Sequence, residues 1–73
     1  MSGKLVSLHF PAQPDRLCMV RALVRRAAQF VGCDDELTEQ LVIAVNEACM
    51  NVIQHAYHDQ PTGEMILEIH NNA

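Results

Sequence analysis

The sequence predicts an α+β fold, a two-layer sandwich in the order β-α-α-β, and three observations predict it. Two short segments, Lys4 to Phe10 and Glu64 to His70, alternate apolar and polar residues, as half-buried strands do. Two longer segments between them repeat their apolar residues with a helical period. Proline, glycine and aspartate stand at the joints, where chain direction must change.

The first strand turns Val6, Leu8 and Phe10 one way and Ser7 and His9 the other, which leaves His9 solvated. Pro11 and Pro14 close it, because each lacks a ladder donor. Asp15 is placed to cap a helix running to about Val31, with Leu17, Val20, Val24, Ala27, Ala28 and Val31 on its apolar face. Arg21, Arg25 and Arg26 form a basic, solvated face on the same helix. Gly32 is the natural stop. Asp34 and Asp35 then cap a second helix, from about Glu36 to Ala56 or Tyr57, and put negative charge where the helix dipole favours it. His58 to Gly63 has turn chemistry. In the last strand Met65, Leu67 and Ile69 face inward, while Glu68 and a solvated His70 face outward.

Seventy-three residues make at most one small domain, and the 49% hydrophobic content with 4% aromatic residues describes an aliphatic core. The three cysteines do not make a disulfide framework: Cys18 and Cys49 fall at apolar helical positions and Cys33 in a loop. That usage points to a reducing compartment, the cytoplasm. A net charge of −4 argues against nucleic-acid binding. No apolar run approaches the ~20 residues of a membrane span, and no signal-peptide segment leads the chain. Two strands leave open edges and two helices carry more apolar surface than two strands cover, so self-association as a homodimer is expected.

The second helix holds the most distinctive pattern. Glu47, Asn51 and His55 follow at four-residue steps, drifting about 40° per step, and so form one polar stripe. Leu41, Val42, Val45, Ala48, Cys49, Val52, Ile53 and Ala56 form a broad apolar sector around it. A carboxylate and a carboxamide at the border of a core face suit a buried magnesium–nucleotide site. His55, His58 and Cys49 invite a zinc reading, but Cys49 lies on another helix face.

The segment LVIAVNEACMNVIQHAY, residues 41–57, resembles the N-box helix of the GHKL (histidine kinase-like) ATPase superfamily. The E-A-x-x-N-x-x-x-H-A-Y pattern, the strand, Pro-containing turn and helix before it, and the EMILEI strand after it resemble the anti-sigma factor serine kinase branch, the RsbW and SpoIIAB type. The resemblance implies the N-terminal half of a Bergerat-type ATPase fold, with Mg²⁺ and ATP or ADP as cofactors. Asn51 would hold the metal and Glu47 would be the general base. His55 would lie near the phosphates or the adenosine. Partners would be a sigma factor and the antagonist protein that such a kinase phosphorylates. The family's D-x-G-x-G adenine loop and glycine-rich lid do not occur in this sequence. Residues 1–73 are therefore expected to be a single incomplete ATPase domain, the N-box half, without a complete ATP site. Two alternatives stand beside this: a non-catalytic dimerisation or partner-binding module, and the N-box fragment of a sensor histidine kinase.

Overall fold

Alternation in the two end segments produces an antiparallel pair, β1 (Gly3–Pro11) and β2 (Glu64–Asn71). The computed structural model describes residues 3–56 and 63–71. The expected Tyr57 helix end and the turn from His58, Gly63 apart, lie outside the described residues. The register sets Val6 opposite Ile69, Leu8 opposite Leu67 and Phe10 opposite Met65, so apolar residues meet in pairs on the face toward the helices. Between Lys4 and Val6 the register slips by one residue, a bulge at Leu5. Pro11 does not end the ladder as expected: it pairs with Glu64, and the Ala12 N–H continues to the Gly63 carbonyl at 2.8 Å. A proline at the end of a strand forfeits only its own donor.

The outer sheet face carries paired polar residues around an exposed Ile66. His9 is exposed as expected, but its Nε2 lies 2.8 Å from Glu64 Oε2. His70 Nε2 lies 3.1 Å from Glu68 Oε1, and Lys4 Nζ lies 3.4 Å from Glu68 Oε2. The His70 hydrogen bond, with Lys4 beside it, holds the Glu68 carboxyl below its ordinary range.

Asp15 does not cap the first helix. Pro14 starts a 3₁₀ turn, Pro14–Arg16, whose first carbonyl accepts the Leu17 N–H. Winding thus begins before Asp15, whose carboxylate instead meets Arg16 Nη1 at 3.0 Å. Helix α1 (Leu17–Phe30) follows with Leu17, Val20, Val24 and Ala28 buried. Val31, assigned to the apolar face, is exposed beyond the helix end, and Cys18 is exposed rather than packed. Gly32 stops α1 as expected. At φ +93° it donates to the Gln29 carbonyl while Cys33 donates to that of Ala28, a Schellman closure.

Helix α2 (Asp35–Asn51) is capped by Asp34, whose carboxylate accepts the Leu37 N–H at 2.8 Å. Asp35 and Glu36 lie in its first turn. Replacing Asp34 by alanine is expected to cost about 1 kcal/mol, read as a lowered urea midpoint at unchanged slope. The helix ends earlier than expected. From Val52 to Ala56 the chain widens into a π turn, which bonds i to i+5. No helix among the described residues is long and apolar enough to cross a membrane.

The layers meet over Phe10, Ala12, Leu17, Val20, Val24, Val42, Cys49 and Ile53. Burial pushes the Cys49 thiol pKa up, so it stays a neutral core group. Thr38 is 2% exposed, and its hydroxyl has no hydrogen-bond partner among the described residues. Thr38→Val keeps the β-branched shape and removes that stranded group. We expect a gain of about 1 kcal/mol, seen as a higher urea midpoint.

Candidate functional site

Rotation of α2 about its axis decides what its polar stripe can reach. Thr38, Val42 and Cys49 are its buried residues, with Ile53 buried just beyond on the π turn and Val45 half-buried beside them. Packing along that line turns the opposite side outward. Ala44, Glu47, Ala48 and Asn51 are all exposed, and His55 is exposed on the π turn, so the acid and the amide do not stand at the border of the core as expected: packing of Thr38, Val42, Cys49 and Ile53 turns them away from it. Glu47 and Asn51 thus stand one turn apart on a continuous α-helical face. His55 does not continue their row in the same geometry, because the π turn separates it from the α-helical spacing.

The apolar sector is narrower than its spacing suggests. Leu41, Ala48 and Val52 are exposed, and of its described members Val42, Cys49, Ile53 and, in part, Val45 reach the core, the Ala56 side chain lying outside what is described. Two strands cover one side of α2 and no more. The exposed Leu37, Leu41, Ala48 and Val52 flank the Glu47–Asn51 row.

The donor set consists of one carboxylate, one amide carbonyl and one imidazole. Among the described residues no group of three or more His, Cys, Asp or Glu side chains is placed to hold a metal ion. His58, the third member of the zinc reading, lies outside the described residues. A pair of oxygen donors on one helix is no closed metal cage. It does suit Mg²⁺, which keeps waters and completes its octahedron with substrate phosphates around one or two protein oxygens.

An apolar groove of ≈ 320 Å³ lies elsewhere, between the C-terminal part of α1, the middle of α2 and β2. Val24, Ala28, Leu41, Val45, Leu67 and Ile69 line it, and neither Glu47 nor Asn51 does. Glu68, His70 and Asn71 add some polar groups to a lining that is otherwise apolar, so the helix edge, and not the groove, is the candidate site.

The arginine face of α1 is not simply solvated. Arg25 forms a two-pronged pair with Glu39, Nε to Oε2 at 2.9 Å and Nη2 to Oε1 at 3.1 Å. That pair holds the Glu39 carboxyl below its ordinary value, although both groups are too exposed for the bridge to stabilise much. Arg21 donates from Nη1 to Asn46 Oδ1 at 2.8 Å in a half-buried position. Sequence reading missed Asn46. Nothing in spacing tells which α2 residue an α1 arginine will reach.

Comparison with known proteins sets this geometry in a lineage. Residues 10–73 match the model of the histidine kinase-like ATPase domain. The chain is 38% identical over 60 residues to the serine-protein kinase RsbW of Bacillus velezensis, covering 82% of this chain and 38% of that protein. It is 37% identical over 60 residues to the same kinase of Bacillus subtilis, with the same coverage. To that of Listeria innocua it is 34% identical over 65 residues, covering 89% of this chain and 41% of the relative. The chain therefore spans about two fifths of the length of the curated relatives it matches. With a matching family model over most of its residues, and a β-α-α-β sandwich that exposes an Asn and a Glu one turn apart, the chain belongs to the histidine kinase-like ATPase family.

Proposed function

We propose that residues 1–73 form the N-box half of the ATPase domain of a cytoplasmic anti-sigma serine kinase, which binds a sigma factor and phosphorylates its antagonist. One observation carries the reading. Glu47 and Asn51 are both exposed, one turn apart on a single helix whose other side is buried. The Asn51 side-chain carbonyl holds Mg²⁺ without adding charge beside a polyphosphate. When bound, the metal neutralises phosphate charge. The Glu47 carboxylate accepts the proton of the antagonist's serine hydroxyl as its oxygen bonds to the terminal phosphorus of ATP, while the bond from that phosphorus to the bridging oxygen breaks and ADP leaves. His55 sits beyond, toward the phosphates or the adenosine. The protein acts as a homodimer.

Calorimetric titration with ADP and Mg²⁺, on this chain and on any longer product of the same gene, tests the reading. Binding that depends on Mg²⁺ supports it. Binding that persists unchanged in Asn51→Ala and Glu47→Ala removes the assignment of these residues.

A non-catalytic dimerisation or docking module is the second reading. The exposed Leu37, Leu41 and Val52, and Phe30 at 80% exposure, favour it. Sedimentation at low micromolar concentration that returns a monomer counts against it.

A further inference from the structure

We propose that Arg21 is a positioning residue for the Glu47–Asn51 edge; the inference rests on the site reading above and deepens it. A helix held only by apolar contacts on one side can roll about its axis, and a roll would swing Glu47 and Asn51 together. Opposing such a roll requires a directional contact off the apolar line. Arg21 supplies one. Its Nη1 donates to Asn46 Oδ1 at 2.8 Å, and Asn46 immediately precedes Glu47. The contact is half-buried, so water competes with it less than with the exposed Arg25–Glu39 pair. Its base is rigid as well, since Val20 and Val24 on either side of Arg21 are 1% and 5% exposed.

Arg21 and Arg25 are one turn apart on α1, and their partners Asn46 and Glu39 are two turns apart on α2. The two contacts form rungs along one flank of α2, and the one nearer the site is the protected one. Because its acceptor is a neutral amide, the rung is set by hydrogen-bond direction more than by charge attraction. Arg21 thus acts on the edge through Asn46, without touching a ligand.

The test uses the whole chain carrying Arg21→Ala, Asn46→Ala, both together, Arg21→Lys, and Arg26→Ala as control, since among the described residues Arg26 bonds Gln29 on its own helix. Circular dichroism checks that each variant is folded at the working temperature. Two readouts follow: the Asn51 side-chain amide resonances, and the affinity for ADP with Mg²⁺. Arg21→Ala and Asn46→Ala are each expected to shift the Asn51 resonances and to weaken binding about three- to tenfold, with the double variant no worse than either. Arg21→Lys should restore part of the loss, and Arg26→Ala should change neither readout.

The inference is overturned if Arg21→Ala lowers the unfolding midpoint but leaves both readouts in place, or if the two single effects add. Failure of both the unaltered chain and any longer product of the same gene to bind ADP with Mg²⁺ removes the site reading instead. The Asn51 resonances then still decide whether Arg21 holds that edge.

Discussion

Ile53→Ala is expected to leave the chain largely unfolded at room temperature. Ile53 is 0% exposed and belongs to the cluster that joins α2, the π turn and the sheet. Truncating a buried isoleucine costs about 2–5 kcal/mol, through lost transfer energy and the cavity left behind. A chain of this size draws about 3–5 kcal/mol from its core, so one such change consumes most of the margin. Val52 is the internal control. It precedes Ile53 on the same π turn but is 38% exposed, so Val52→Ala should cost well under half as much. Urea unfolding followed by circular dichroism compares them. Equal losses at the two positions would mean that the Ile53 side chain is not the one in the core.

Asn51→Ala is expected to abolish the magnesium dependence of nucleotide binding while leaving the fold intact. The side chain is exposed at the last residue of α2, so its removal strands no buried partner and opens no cavity. Loss of one metal-holding oxygen should weaken Mg²⁺-dependent ADP affinity on the order of tenfold or more. Glu47→Gln separates the two roles. It keeps size and hydrogen bonding but removes the basic oxygen, so binding should hold to within about threefold while phosphoryl transfer by a product long enough to perform it falls at least ~100-fold. The reverse pattern, with Glu47→Gln losing binding and Asn51→Ala losing only turnover, would exchange the two assignments.

Much of the fold is legible in the residues. Alternation, broken at Leu5 and Ile66, predicts both strands and their inward sets, and Leu8 meets Leu67 as that pattern requires. Gly32 and Asp34 mark the joint between the helices by local chemistry, and both act as that chemistry dictates. Local rules misled where two of them competed. Asp15 is a good cap, but Pro14 suits a first helical turn better and started the winding earlier. At Val52 nothing local announces the change to a π turn.

The candidate site divides along the same line. The residues alone determine that α2 is a helix and that Glu47 and Asn51 lie one turn apart, because helical spacing is a property of the backbone and needs no neighbour. Relative angles on a helix say nothing of how it is turned against the layer beside it. Only the tertiary structure decided that Val42, Cys49 and Ile53 face the sheet while Leu41, Ala48 and Val52 do not, and so that the acid and the amide face outward. The Arg21–Asn46 contact belongs to that same decision. Burial sums over contacts from β1, β2 and α1 at once, and hydrogen bonds between helices form only after that sum has set the rotation.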